Sequence, residues 1–338
     1  MKNETQDEIF GDLPQVEQVK KDYTLAGSIL VSAIILAGAW ISTTGPKITD
    51  VRQKTNITAT SAKTLASEPD KDVLPSEGVV LPVTWGNLGA KLVSVGAIDA
   101  DKFKAIYEER GAFTDEYKNL LQGQTDGKLK ITKDNAGYLL NLFWALGLAS
   151  KNPILDSGEM TNPAYGGAGN FASTGGWTIA RGSAMDHYSR HKFFDLTSEQ
   201  QALVDKVSRG IYRPCCGNST HFPDCNHGMA MLGLLELMAS QGASEQDMWK
   251  AALAVNSYWF PDTYLTIASY MKNKSVEWKD VNPQEILGIN YSSNSGFQRI
   301  ASQVATPNSS RGGSGCDVET GQPASVVSPK RQQSGCGI

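Results

Sequence analysis

Four things are scarce or missing in this 338-residue chain, and each closes off a class of function. Basic residues are scattered rather than gathered in a stripe interleaved with aromatics, and the net charge is −4. That excludes a nucleic-acid partner. Five cysteines are too few for a disulfide scaffold and, being odd in number, cannot all pair within the chain. No Cys-x-x-Cys occurs, so zinc-finger knuckles are missing and so is the usual thiol-redox motif; without Cys-x-x-Cys-His there is no covalent c-type haem. No alternating apolar and polar run competes with helical periodicity between residues 83 and 150. The expected fold is therefore mainly α, with irregular Gly-rich and Cys/His-rich loops.

The few chemically capable residues are concentrated. All four histidines lie between His187 and His227, and Cys215, Cys216, His221, Cys225 and His227 fall within thirteen residues. Pro214, Gly217, Asn218, Ser219 and Pro223 are turn formers, so this loop should be irregular and able to fold around a centre. Asp224 is a good helix N-cap, with Asn226 the next choice. The helix from Gly228 to Ala239 is apolar on almost every side, which predicts burial, and Gly242 stops it. Cys225 then falls at or beside the first helical turn, where free amides and the helix dipole favour a thiolate.

Three chemistries suit that position. The first is a metal centre drawn from Cys215, Cys216 or His221, Cys225 and His227, with zinc the first expectation and a preference for four ligands. Copper or iron is the alternative metal, since Met229 and Met231 stand close by and thioethers suit copper(I), although such methionines usually serve packing. His187 and His191, four apart in Asp-His-Tyr-Ser-Arg-His, would share one face of a helix and add ligands or support. Tyr188 stands where a zinc peptidase needs Glu. The second chemistry is thiol–disulfide exchange through Cys215, Cys216 and Cys225. The third is a cysteine hydrolase with Cys225 as nucleophile. Phe222-Pro-Asp-Cys225-Asn-His-Gly-Met-Ala-Met-Leu resembles, over barely twenty residues, the nucleophile helix of papain-like peptidases. Those families place their histidine downstream, and none follows His227, so histidine 187, 191 or 221 would have to serve. A non-enzymatic interaction domain with structural cysteines is the fourth alternative.

Around this centre the chain divides into five parts. Residues 1–23 form a polar tail. Thr24 to Thr43 are twenty residues without a charge, the length of one bilayer crossing, and read as a signal-anchor. Ala37-Gly38-Ala39 could be a cleavage site, but the long acidic leader favours an uncleaved anchor. Residues 44–82 are rich in Thr, Ser, Ala, Lys and Asp and read as a flexible stalk. The α-helical Cys/His domain follows over 83–302, with helices expected at Leu88–Gly96, after Asp99, at Thr114–Gln122, Asn135–Ser150, Glu199–Arg209 and Glu245–Trp259, and near Leu287. Seven glycines between Asp156 and Gly182 lack phosphate-loop spacing and read as a surface loop. Residues 303–338 form a Gly/Ser tail carrying Cys316 and Cys336. An N-terminal tail before an anchor and a much larger following domain imply an extracytoplasmic domain at the cell membrane. Protease added to spheroplasts is therefore expected to digest that domain while a cytoplasmic control survives; protection of both would reverse the topology.

Overall fold

The structure, a computed structural model, describes residues 71–109 and 111–304. The polar tail, the signal-anchor, most of the stalk, and the C-terminal stretch with Cys316 and Cys336 lie outside the described residues. Among the described residues no helix is long and apolar enough to cross a membrane.

Thirteen α-helices and a two-stranded ribbon make up the described fold, so it is mainly α. In chain order these are β1 (Val79–Gly86), α1 (Leu88–Val95), α2 (Ala100–Glu108), α3 (Asp115–Gln122), β2 (Thr125–Ile131), α4 (Ala136–Ala149), α5 (Pro153–Ser157) and α6 (Ala172–Gly175). They continue with α7 (Ser198–Gly210), α8 (Asn226–Ser240), α9 (Glu245–Trp259), α10 (Pro261–Asn273), α11 (Pro283–Leu287), α12 (Ile289–Ser292) and α13 (Asn294–Ala301). The capping residues sit where side-chain chemistry requires. Asp99, Thr114, Thr197, Ser244 and Asn282 each accept a hydrogen bond from a first-turn amide of the helix that follows.

At the centre α4 and α8 cross. Both are apolar all round, and only Gly137 of α4 and Ser240 of α8 are not buried. Gly147 and Gly233 let the two backbones touch. A Cβ on Gly147 would lie 2.0 Å from the Met229 carbonyl oxygen, and one on Gly233 would lie 2.5 Å from that of Phe143. The close crossing fixes the axial position of α8, and with it the place where Cys225 enters its first turn.

The ribbon departs from the sequence expectation. β1 and β2 pair antiparallel with two register irregularities, and β1 turns Leu81, Val83 and Trp85 inward. Pro82 interrupts the apolar–polar alternation in β1, and Asp126-Gly127 opens β2, so neither strand shows a long run of β-formers. Tertiary packing supplies what propensity does not. Gln241, at the end of α8, accepts from the Thr84 amide at 2.8 Å and donates to the Thr84 carbonyl at 2.7 Å, standing in for a third strand. The described part of the expected stalk is also ordered into the fold: Val73 is buried, and β1 begins at Val79, before residue 83.

Gly147→Ala and Gly233→Ala each test the crossing. Alanine normally stabilises a helix interior by about 1 kcal/mol over glycine. Here the expected sign is reversed, a loss of about 1–3 kcal/mol from overpacking, measured by chemical denaturation. An increase in stability in either variant would show that the helices do not meet at these residues.

Candidate metal centre

The loop before α8 is shaped by its own backbone hydrogen bonds. Tyr212 and Ser219 face each other as an isolated antiparallel bridge, and the Thr220 amide bonds the Ile211 carbonyl at 2.8 Å. The Cys216 amide closes a turn onto the Arg213 carbonyl. Asn294, at the start of α13, clamps the turn from outside: its amide donates to the Cys216 carbonyl at 3.0 Å and its side chain to the Pro214 carbonyl at 3.1 Å.

Within this frame Cys215, Cys216 and Cys225 place their three sulfurs within 4.8 Å of one another, with Cys215 and Cys225 at 3.6 Å. Zinc–thiolate bonds of about 2.3 Å in a tetrahedral centre would set sulfurs about 3.8 Å apart, so the triangle could hold a metal ion. Cys225 itself is the N-cap of α8 and its side chain takes no first-turn amide, while Asn226 Oδ1 accepts from the His227 amide at 2.9 Å. Sequence reasoning named Asp224 or Asn226 for that cap. Asp224 is drawn away instead, held by Arg213 at 2.6 Å and by Asn218 at 2.8 Å.

Arg213 is the residue that sequence reasoning missed. Its side chain is fully enclosed, with 0% exposure. One guanidinium nitrogen, Nη2, donates to Asp224 and to the Phe222 carbonyl, while Nε and Nη1 have no hydrogen-bond partner. Gly228 makes room for it, since a Cβ there would lie 2.7 Å from the guanidinium carbon. Desolvation opposes the charge, but the three sulfurs and Asp224 raise the arginine further above its ordinary value. An arginine in a Cys-rich loop carries no motif; the available signal was Gly228, a glycine in the first turn of an otherwise bulky apolar helix.

The same surroundings divide the thiols. Hydrogen bonds from Cys215 and Cys216 hold Cys225 well below the usual thiol range, against the cost of burial, and Arg213 and His227 add to the effect. Hydrogen bonds to Cys216 and Cys225, together with burial, push Cys215 up. Cys216 is lowered by its bond to Cys215, but its bond to Cys225 and burial outweigh this and carry it up to about 11. The surroundings thus favour negative charge on Cys225 over Cys215 and Cys216.

The histidines separate. His227, buried on the first turn of α8, comes within hydrogen-bonding reach of Cys225, packs on Phe260 at 4.3 Å between ring centres, and leaves Nδ1 without a partner. His221 is not in the sulfur group: its Nε2 bonds Asp205 of α7 at 2.8 Å. His187 and His191 do not share a helix face, because only Ala184–Asp186 is helical there, as a 3-10 turn, and Ser189 takes a positive φ of 49°. Their rings still meet, Nδ1 of His187 lying 3.2 Å from Nε2 of His191, and His187 Nε2 donates to the Arg181 carbonyl at 2.8 Å. Burial, then the neighbouring His187, lowers His191. The hydrolase alternative needs a base on Cys225, and histidines 187, 191 and 221 are engaged elsewhere. Met229 and Met231 are fully buried in the apolar core.

No protein-family model, no curated protein and no solved structure matches the chain.

Arg213→Met should be severely destabilising. Removing one partner of a buried ion pair typically costs about 3–5 kcal/mol, here by stranding the Asp224 carboxylate, and Arg213→Met/Asp224→Asn should recover part of it. Denaturant titration measures both. A single variant as stable as the parent would show that the guanidinium is not buried against Asp224.

Proposed function

We propose that this chain is a metal-binding protein, tethered at the membrane by Thr24–Thr43 with its helical domain extracytoplasmic, whose centre is Cys215, Cys216, Cys225 and His227. The observation that carries the reading is the sulfur triangle. Three thiols from two separate segments converge at a spacing suited to one ion, on a loop clamped at both ends. Zinc is the metal the donor set suits best: soft sulfur with one imidazole, and no redox demand on the surroundings.

His227 is the fourth donor in this reading. It is buried, lies beside Cys225, and has a ring nitrogen without a hydrogen bond. If His227 closes the site, the ion serves structure; if it only supports Cys225, the fourth position is open to water or substrate. Cys225 and His227 open α8, so an ion bound there would tie the loop to the central helix and its binding energy would add to folding.

Metal analysis of protein purified without a histidine tag tests this. About one equivalent of zinc is expected, with a lowered melting temperature after chelation and loss of the metal in Cys225→Ser. His227→Gln separates the two kinds of site: weakened binding and stability together indicate a closed site, whereas retained zinc with an added water ligand indicates an open one. Less than about a tenth of an equivalent of any transition metal, together with a mapped Cys215–Cys225 or Cys216–Cys225 disulfide, would replace this reading with thiol–disulfide exchange.

A further inference from the structure

A large cleft of the described fold lies away from the sulfur centre. It has a volume of about 720 Å³ and opens beside α5 and α7, with the segment from Lys192 to Thr197 as one wall. Glu236 of α8 lies on its floor. A carboxyl group within the buried helix α8, 1% exposed, has no place in core packing. Ser150 and Asn152, just past the end of α4, donate hydrogen bonds to it. Its Oε1 has no partner.

His221 also lines the cleft, its Nε2 donating to Asp205 at 2.8 Å. The charged groups of the rim are already matched. Lys151 pairs with Asp156, Lys192 with Asp195, and Arg209 with Asp205 through two contacts of 2.9 and 3.0 Å. Glu236 is the acid left without a cation. Ile154, Phe194 and Leu196 give the cleft an apolar side. Its volume is that of a small-molecule site.

We infer that this cleft binds a small organic cation, an ammonium group on an apolar stem, with the charged head on Glu236 and the stem along Phe194 and Leu196. An unpartnered carboxyl oxygen on the floor, rim cations that are all paired and an apolar wall together favour a ligand with a cationic N–H head and an apolar stem. A cation satisfies Glu236 in charge as well as in hydrogen bonding, which a neutral donor does not. An anionic ligand would meet the Glu236 carboxyl at the floor and rim cations already spent on their own acids. Burial pushes the Glu236 carboxyl up to about 8, against the hydrogen bonds of Ser150 and Asn152 that pull it down. An empty site at neutral pH therefore holds a proton that an incoming ammonium would displace. The reading is independent of the metal centre, which uses none of these side chains.

Titration calorimetry on the full-length protein, with n-hexylammonium chloride as the probe, tests the inference. One saturable site is expected, with 1-hexanol and hexanoate at least about ten-fold weaker, because neither brings a charge-assisted N–H donor. Repeating the titration at pH 7 in buffers of different ionisation enthalpy should reveal release approaching about one proton per ammonium bound. Glu236→Gln, nearly the same in shape, should weaken the ammonium at least about ten-fold and abolish the proton release. Phe194→Ala leaves the floor intact and should shorten the affinity difference between hexylammonium and methylammonium. Equal binding of hexanol and hexylammonium, undiminished binding by a folded Glu236→Gln, or no binding of any probe would overturn the inference; in the last case the carboxyl is met by water alone.

Discussion

The contact on which the structure depends is the crossing of α4 and α8 at Gly147 and Gly233. Two helices without a polar face can exist in water only if something covers them on all sides, and they cover each other most closely where neither carries a side chain. Everything chemical in the described fold hangs from the ends of this pair. Cys225 and His227 open α8, Ser150 and Asn152 follow α4, and Glu236 looks out from α8 at the level where α4 stops. A shift of one helix along the other would move the sulfur triangle and the carboxyl floor together. Rigidity at the crossing is thus what allows polar groups to be held at short distances in so apolar a protein.

Arg213 is the second constraint, subordinate to the first. Burying a guanidinium is costly unless its charge and donors are met. Here a single nitrogen is bonded to Asp224 and Phe222, and Nε and Nη1 have no hydrogen-bond partner. Gly228 is the cost in helix propensity that this arrangement carries, a glycine in the first turn of α8 so that the guanidinium can lie against its backbone. Asp224, freed from capping the helix, orients the arginine, and Cys225 takes over the capping position without a side-chain hydrogen bond to the first turn.

Helices were legible in the sequence because their signals are local. Asp99, Thr114, Thr197 and Ser244 cap where an Asp, Thr or Ser precedes an amphipathic run, and the capping bond needs only the neighbouring turn. Convergence of Cys215, Cys216 and Cys225 was legible for the same reason, since a short loop rich in turn formers folds back on itself. The strands were not, because β1 is held by packing of Trp85 and by the Gln241 side chain, a partner 157 positions away in the chain. His221 was misplaced because its partner Asp205 lies on another helix, and sequence proximity to the cysteines says nothing of a contact across elements. Glu236 reads in sequence as one charge that a helix can turn outward; only the placement of α4, α5 and α7 around it shows that it has nowhere to turn.

The charge of Arg213 bears on which thiol chemistry the site is built for. A disulfide between Cys215 and Cys225 would remove the negative charge on Cys225 that supports the guanidinium, leaving Asp224 as its one hydrogen-bonded anionic partner. A metal–thiolate centre keeps negative charge on all three sulfurs while the ion offsets most of it, so a permanent cation beneath the cluster remains matched. A protein that cycled through a disulfide would bury and strand this arginine on each oxidation, at a cost set by desolvation rather than by redox chemistry. The enclosed guanidinium therefore favours the proposed metal–thiolate reading over a site that cycles through a disulfide.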